Sequence, residues 1–295
     1  MDSKQSQQMS EKPGFIAALD QSGGSTPGAL RHYGIQDSAY SNDDEMFELI
    51  HEMRCRIISA PPFTGDRVIG TILFEKTMDG TVDGKPVPAF LWQDRGIVPF
   101  LKVDKGLAEE ADGVRMMNPM PELASMLDRA VSAGIFGTKM RSVIEHDSDS
   151  GIAANVAQQF EIGATILDHD LMPILEPEVN INSPEKAGCE DILKAEILKN
   201  LDAMSGDRQL MFKLTLPDTP GHYDEVIAHD RVLRVVALSG GYSRHDANAK
   251  LTENHGMIAS FSRALTEGLS VDQSDDAFNK TLDETIESIY RASIT

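Results

Sequence analysis

Charged side chains occur inside short apolar segments of this sequence, where burying a charge is unfavourable. The segment QLMFKLTL, residues 209–216, contains Lys213, and a two-residue period places Met211, Lys213 and Thr215 on one face of a strand. A lone lysine in a strand is more often half of a structural ion pair than a nucleophile. Its neighbours must therefore decide whether it does chemistry.

Carboxylates occur in two other apolar segments. Glu176 and Glu178 flank Pro177 in LMPILEPEV, so both project to the same side of the predicted strand. Such groups either neutralise interior lysines or, by mutual repulsion, divide into one acid and one base at neutral pH. Asp20 ends a further apolar segment, GFIAALD, and adds a third carboxylate to the predicted strand ends.

Further charged residues follow the same pattern. Lys102 and Asp104 share a face of VPFLKVD, and Lys139 and Arg141 share a face of IFGTKMR. A purely structural core would contain few such groups. Several cations in one cavity suit a dianionic, phosphorylated substrate, and a neighbouring cation favours the neutral, nucleophilic form of a buried amine. Together with Lys213, these residues indicate amine catalysis on a phosphorylated carbonyl compound.

Two loops have the composition of phosphate-binding segments. DQSGGSTP places Ser22 and Ser25 beside a glycine pair, although Gly-Gly-Ser is also a common turn. The second region follows predicted strands seven and eight, where barrel enzymes often bind phosphate. Its residues are Ser239, Gly240, Gly241 and Arg263. Two such regions predict a substrate phosphorylated at both ends, such as a sugar bisphosphate.

The elements that must position these residues alternate along the chain. Eight apolar segments predict strands at residues 14–20, 67–74, 98–104, 135–141, 171–179, 209–216, 234–241 and 257–265. Amphipathic stretches such as residues 43–58 predict helices between most of them. We therefore expect an α/β fold, a single (β/α)8 TIM barrel over residues 1–295, with an open doubly wound sheet as the alternative. Residues 79–88 predict a loop or hairpin insertion, and residues 1–13 form a polar N-terminal segment.

The overall composition excludes several classes of function. A formal net charge of −20 disfavours binding to nucleic acid and to anionic membranes. No apolar run is long enough to span a membrane and no signal peptide is recognisable, so a cytoplasmic protein is expected. Cys55 and Cys189 lack paired spacing, which argues against a disulfide framework and against a cysteine-based zinc site. No HExxH motif or cluster of histidines with carboxylates occurs, which argues against a metal site, although carboxylates alone could hold magnesium.

Seven segments resemble the class I fructose-1,6-bisphosphate aldolases, especially the short bacterial type, over essentially the whole chain. They are FIAALDQSGGST, FLKVDKG, FGTKMRS, ILEPEVN, MFKLTLP, LSGGYSR and ASFSRAL. The resemblance implies a metal-independent lyase without a cofactor. Such an enzyme reversibly cleaves fructose 1,6-bisphosphate to dihydroxyacetone phosphate and glyceraldehyde 3-phosphate in glycolysis and gluconeogenesis. Family habit also implies a homo-oligomer.

The resemblance further implies roles for individual residues. Lys213 would form the Schiff base, Glu176 would transfer its protons, and Asp20 would take the hydroxyl proton during carbon–carbon cleavage. Supporting roles are implied for Glu178 and Lys139. The ketone-side phosphate would be bound by Ser239, Gly240, Gly241 and Arg263. Contacts nearer the other end would come from Ser22, Ser25 and Lys102. The strand pattern itself, rather than the resemblance, places Arg141 among the cations expected to bind the substrate.

One feature of the animal enzymes is missing, because this chain ends in RASIT rather than in a terminal tyrosine. The group that protonates the enamine is therefore open, with Glu176 or a water molecule as candidates. Three alternatives to the aldolase hypothesis remain at this point. They are another Schiff-base sugar-phosphate enzyme such as a transaldolase, a magnesium-dependent barrel enzyme, and a non-catalytic protein.

Overall fold

The computed structural model describes residues 2–295, and its centre is a ring of eight parallel strands. The strands are β1 (Phe15–Leu19), β2 (Val68–Leu73), β3 (Val98–Lys102), β4 (Gly137–Ile144), β5 (Met172–Val179), β6 (Leu210–Thr215), β7 (Val232–Leu238) and β8 (Met257–Ala259). Each strand pairs in parallel with the next one along the chain. The amide of Ala18 donates to the carbonyl of Phe261 at 3.1 Å, which brings the chain after β8 back to β1. The predicted (β/α)8 barrel is confirmed.

Helices lie between the strands and around them. They are α1 (Ser3–Glu11), α2 (Thr26–Tyr33), α3 (Asp43–Ser59), α4 (Glu75–Met78), α5 (Val87–Arg95), α6 (Leu123–Ser132), α7 (Asp149–Asp168), α8 (Lys186–Ala203), α9 (Asp224–Ile227), α10 (Arg244–Thr252), α11 (Arg263–Thr266) and α12 (Asp275–Ala292). The start of α3 follows from its sequence, because the Asn42 side chain accepts from the amide of Glu45 and caps the helix. None of the described helices is both long and apolar enough to cross a membrane.

The two faces of each strand pack into two different cores. Met211 belongs to the core inside the barrel, whereas Phe212 and Leu214 belong to the core between the strands and the helices. Because side chains alternate along a strand, Lys213 must face the barrel interior with Met211. The predicted orientation of this lysine is therefore confirmed.

The N-terminal segment, predicted only to be polar, forms helix α1 at the amino-terminal end of the barrel. Met9 on this helix is completely buried within the inner core. Gln8 Nε2 donates to the carbonyls of Ile69 and Gly96 at 2.9 and 2.8 Å, so α1 is tied to the chain of β2 and to the loop before β3. Arg234 of β7 donates to the carbonyl of Ser10 in the last turn of the helix and to that of Lys12 just after it. Helix α1 thus closes the end of the barrel opposite the predicted site.

Removing the Met9 side chain is expected to destabilise the fold. Met9→Ala would leave a cavity in the inner core and lower the free energy of unfolding by about 2–5 kcal/mol. Urea denaturation would measure this change. Gln7→Ala, at an exposed position of the same helix, is the matched control and should change stability by less than about 0.5 kcal/mol. A Met9→Ala protein as stable as the control would contradict this role for α1.

Several predicted strand boundaries were wrong, and two of them bear on the barrel core and the site. Strand β8 ends at Ala259, so Arg263 does not end a strand but begins helix α11. Strand β4 begins at Gly137, and Ile135 packs in the outer core while Phe136 enters the inner core. Short apolar segments do not distinguish the end of a strand from the irregular chain and helix that follow it.

The insertion predicted at residues 79–88 contains a short hairpin. Thr81–Val82 pairs antiparallel with Lys85–Pro86. The connecting residues Asp83 and Gly84 both have positive φ, at 50° and 75°. An Asp-Gly pair suits such a two-residue turn, because both positions require the left-handed region. The hairpin prediction is confirmed.

Candidate active site

A cavity of about 890 Å³ opens at the carboxyl ends of the barrel strands. Every site residue predicted from the sequence borders it. These residues are Asp20, Ser22, Ser25, Lys102, Lys139, Arg141, Glu176, Glu178, Lys213, Ser239, Gly240, Gly241 and Arg263. The cavity lies where (β/α)8 enzymes place their chemistry.

Four of these residues form a continuous array of ion pairs in the barrel mouth. Lys213 Nζ lies 3.0 Å from Glu176 Oε1, and Lys139 Nζ lies 2.8 Å from Glu176 Oε2. Lys139 Nζ also lies 2.7 Å from Asp20 Oδ2. All four side chains are at most 9% exposed. We call Lys213, Glu176, Lys139 and Asp20 the four-residue array.

The ionisation of the array follows from its alternating charges. Burial raises the pKa of Asp20 and of Glu176, but attraction to Lys139 and Lys213 outweighs it and holds the pKa of both carboxyls below the ordinary value. Burial lowers the pKa of Lys139, but Asp20 and Glu176 outweigh it and raise that pKa above the ordinary value. At neutral pH, Lys139 is thus a permanent cation between two carboxylates.

The remaining cations of this wall have their own carboxylate partners. Lys102 Nζ lies 2.7 Å from Asp104 Oδ1, and Arg141 Nε pairs with Glu178 Oε2. Glu176 and Glu178 therefore meet different cations. The carboxylate that is coupled to Glu176 is Asp20, through the ammonium group of Lys139.

The segment after β7 brings backbone to the cavity wall. Gly240 and Gly241 have positive φ, at 58° and 130°, and a Cβ on Gly240 would lie 2.6 Å from Ile181 Cγ2. Glycine is therefore required at position 240. A Cβ on Gly241 would lie 3.5 Å from Nη2 of Arg263, so the arginine fork stands beside this turn. A glycine turn with a neighbouring guanidinium is a suitable site for a phosphate dianion.

The loop after β1 is held partly by its own serines. The hydroxyl of Ser25 donates to the carbonyl of Ser22 at 2.9 Å and accepts from its amide at 3.0 Å. Both residues border the cavity just before helix α2. The Ser25 hydroxyl proton is used within the loop, so its oxygen and the nearby backbone are what the loop presents to a ligand.

Comparison with known proteins places the chain in a family. The model of fructose-bisphosphate aldolase class-I matches residues 4–214. The fructose-bisphosphate aldolase class 1 of Porphyromonas gingivalis is 56% identical over 294 residues, covering 100% of both chains. The protein of the same name from Synechocystis sp. is 57% identical over 292 residues, covering 99% of this chain and 97% of the relative. The chain belongs to the class I fructose-bisphosphate aldolase family.

A solved structure supports the fold of this aldolase. The fructose-bisphosphate aldolase of Plasmodium falciparum, in complex with TRAP and a small molecule inhibitor, aligns with a TM-score of 0.77. The alignment covers 98% of this chain and 93% of that one at 19% identity. The class I aldolases are lyases, which agrees with the activity expected from the residues. The family match from residue 4 to residue 214 includes the whole four-residue array.

Among the residues that border the aldolase cavity but were not predicted as site residues are His32, Tyr242 and Arg115. His32 lies on α2 at the cavity. Tyr242 follows the glycine turn, and Arg115 lies on the short strand Val114–Arg115, opposite Val143 of β4. None of them belongs to one of the eight apolar segments, so the strand pattern gave no signal for them. Their place at the cavity depends on how the loops fold.

Two cations of the aldolase cavity lack a carboxylate partner. Within residues 2–295, no carboxylate oxygen lies within 4.0 Å of the guanidinium of Arg115 or of Arg263. The cavity cations that do have such a partner are Lys102, Lys139, Arg141 and Lys213. Arg115 lies beside β4 and Arg263 follows β8, four strands apart in a ring of eight. These two guanidinium groups therefore come from opposite walls of the barrel mouth.

Proposed function

We propose that this aldolase cleaves fructose 1,6-bisphosphate reversibly through a Schiff base between Lys213 and C2 of the ketose. The observation that supports this is the four-residue array, in which Lys213 contacts a carboxylate that a second lysine holds ionised. An amine, a proton acceptor and a fixed cation in one buried site are what Schiff-base chemistry requires. The products are dihydroxyacetone phosphate and glyceraldehyde 3-phosphate.

The first half of the proposed mechanism forms the iminium. Glu176 accepts a proton from Lys213, whose neutral amine attacks C2 and forms a carbinolamine. Glu176 then returns the proton to the departing hydroxyl, which leaves as water. Its Oε1 lies 3.0 Å from Nζ of Lys213, within the distance that direct proton transfer requires. The positive iminium nitrogen becomes the electron sink for the next step.

The second half breaks the bond between C3 and C4. The electron pair of this bond moves toward the iminium nitrogen, while the ionised Asp20 accepts the proton of the C4 hydroxyl. Glyceraldehyde 3-phosphate leaves, and an enamine remains on Lys213. Proton addition at C3, from Glu176 or a water molecule, and hydrolysis release dihydroxyacetone phosphate. Lys139 keeps its proton throughout and stabilises negative charge on its two carboxylate neighbours.

The bisphosphate is proposed because two cations that have no carboxylate partner among residues 2–295 lie on opposite walls of the mouth. The ketone-side phosphate is assigned to the turn at Ser239, Gly240 and Gly241 with Arg263. The other phosphate is assigned to the opposite wall, where Arg115 complements Lys102 and the serines of the β1 loop. The reaction as written uses no metal ion and no organic cofactor.

Trapping with borohydride tests the proposed function. Borohydride and dihydroxyacetone phosphate should together inactivate the enzyme and leave a stable reduced adduct, which peptide mapping would locate on Lys213. EDTA should leave activity unchanged, which separates this route from a magnesium-dependent one. Activity with fructose 1,6-bisphosphate but not with transaldolase substrates separates the other Schiff-base alternative. An active enzyme that forms no adduct would overturn the proposal.

Arg115→Leu is expected to weaken recognition of the second phosphate selectively. Loss of one guanidinium–phosphate contact should raise KM for fructose 1,6-bisphosphate roughly 10- to 100-fold. Steady-state kinetics with fructose 1-phosphate, which lacks that phosphate, should be unchanged. Arg208→Leu, which removes an exposed arginine paired with Asp168, controls for net charge. Equal losses for both substrates would contradict this assignment of Arg115.

Two further expectations from the sequence stay predictions. The protein is expected in the cytoplasm, and both of its cysteines are free in the structure. It is also expected to form a homo-oligomer, which light scattering during gel filtration would measure.

A further inference from the structure

A fully buried arginine lies behind the loop that carries Asp20. Arg54 of α3 is 0% exposed, and no carboxylate lies within 4.0 Å of it among the described residues. Its Nη1 donates to Thr77 Oγ1 at 2.8 Å, its Nη2 donates to the carbonyl of Gln21, and its Nε has no acceptor. Burial lowers the pKa of Arg54 to about 10, against the attraction of Asp20. The proposed reaction steps do not use this cation.

Such a residue is expensive to keep in a protein interior. A buried charge without an ionic partner is unfavourable, and an apolar side chain of similar volume often gives a more stable protein. The role of Arg54 is therefore better explained by function than by stability.

Those contacts connect two parts of the active site. Gln21 follows Asp20 directly, and its Nε2 donates to Oγ of Ser262 at 2.8 Å. Ser262 immediately precedes Arg263, the guanidinium assigned to the ketone-side phosphate. Arg54 thus holds the carbonyl of Gln21, and the Gln21 side chain reaches Ser262 in the segment between β8 and α11. The hydrogen bond to Thr77 of α4 anchors the same guanidinium to the segment after β2.

The β1 loop needs an anchor of this kind. Two adjacent glycines follow Ser22, and a Cβ on Gly24 would meet nothing within 4 Å. Such a segment has much conformational freedom and little packing to restrict it. A displacement of about 1 Å in a reacting group can reduce a rate about 10²-fold. The position of Asp20 is therefore sensitive to the contact between Arg54 and Gln21.

We propose that Arg54 is a positioning residue, which fixes the Asp20 carboxylate for carbon–carbon cleavage. Through Gln21 and Ser262, it also aligns Asp20 with Arg263 at the start of α11. This inference rests on the proposed function, because it assigns Asp20 to the C4 hydroxyl. It places the effect of Arg54 on one half of the reaction, since formation of the Schiff base uses Lys213 and Glu176 and does not use Asp20.

Arg54→Met tests this division. The variant should lower kcat for cleavage of fructose 1,6-bisphosphate about 10- to 100-fold. The rate of borohydride trapping with dihydroxyacetone phosphate should stay within about twofold of the wild type, as should solvent exchange of its C3 proton, followed by NMR. Arg54→Lys, which keeps the charge but not the guanidinium fork, should recover only part of kcat.

Arg56→Met is the matched control on the same helix. Arg56 donates to the hydroxyl of Tyr33 at 3.1 Å and to the carbonyl of Gln273 at 2.6 Å, away from the cavity. Its loss should lower stability while kcat stays near the wild-type value. If Arg54→Met is insoluble, Ser262→Ala tests the same connection by removing the hydrogen bond from Gln21. This variant should lower kcat/KM roughly three- to tenfold.

The outcomes separate the inference from the function on which it rests. The positioning role is overturned if Arg54→Met cleaves the substrate at the wild-type rate. The same holds for Ser262→Ala where Arg54→Met is insoluble and Ser262→Ala is measured instead. Equal losses of trapping, proton exchange and cleavage in Arg54→Met would make Arg54 a structural residue only. A wild-type enzyme that gives no adduct on Lys213 would instead refute the Schiff-base proposal.

Discussion

Lys213→Met is expected to lower kcat for cleavage of fructose 1,6-bisphosphate by at least roughly 10⁴-fold, because removal of a covalent nucleophile leaves no route to the iminium. The fold should survive the change. Methionine fills a similar volume in the inner core, and Glu176 keeps its ion pair with Lys139 at 2.8 Å. Steady-state assays and a thermal unfolding curve would measure the two effects separately.

Two variants control for charge and for the identity of the nucleophile. Lys199→Met removes an exposed lysine that is paired with Glu196, and it should leave kcat unchanged. Lys213→Arg keeps the charge but should be as inactive as Lys213→Met, because a guanidinium does not form a Schiff base. Borohydride labelling of another lysine in Lys213→Met, together with residual turnover, would show that Lys213 is not the nucleophile.

The orientation of the array was predictable because strands alternate strictly. Apolar neighbours at positions 212 and 214 must face the helices, which leaves Lys213 inside the barrel. The same rule predicted that Lys139 and Glu176 also face the barrel interior. Closure of the parallel strands into a barrel then brings the carboxyl ends of these strands together. For these residues, a one-dimensional pattern determines a three-dimensional position.

Pairing among the charged groups was not predictable from the same pattern. The period of two puts Glu176 and Glu178 on one face, but it does not say which cation each one meets. Strand register decides this, since Arg141 lies opposite Glu176 and Val143 lies opposite Glu178 in the pairing of β4 with β5. The long Arg141 side chain then reaches Glu178, and Lys139 is left to Glu176.

Residues that reach the site from helices and loops were the hardest to predict. Arg54 lies in the helix predicted at residues 43–58, four residues after Ile50 and three before Ile57, both on the buried face. A cation on this apolar face was a signal, but its partner Gln21 is 33 positions away in the chain. Helix α1 gave a weaker signal, because Met9 is an isolated apolar residue in a polar segment.

Lys139→Met is expected to move the acid limb of the kcat profile to higher pH. Attraction to Lys139 is the main cause that holds the pKa of Asp20 and of Glu176 below the ordinary value, against burial. Without it, burial dominates and both carboxyls take up protons at higher pH. A protonated Asp20 cannot accept the C4 hydroxyl proton, so kcat should fall about 10²- to 10⁴-fold on the acid side of the shifted limb, where Asp20 of the wild type is still ionised. The pH dependence of kcat would measure the shift.

Stability should respond to the same substitution with a definite sign. The lowered carboxyl pKa values stabilise the wild type above the unfolded values of about 4, and this contribution is lost as pH falls through the folded values. The raised pKa of Lys139 stabilises it below about pH 10 and is lost as pH rises through the folded value. Lys139→Met leaves buried carboxylates with too few cations, so we expect a loss of about 3–5 kcal/mol at pH 7. The difference from wild type should narrow near pH 4, where the variant's carboxyls are neutral. Urea denaturation at pH 7 and pH 4 would measure the difference in the free energy of unfolding. A difference that is independent of pH would mean that lost packing, rather than charge, destabilises the variant.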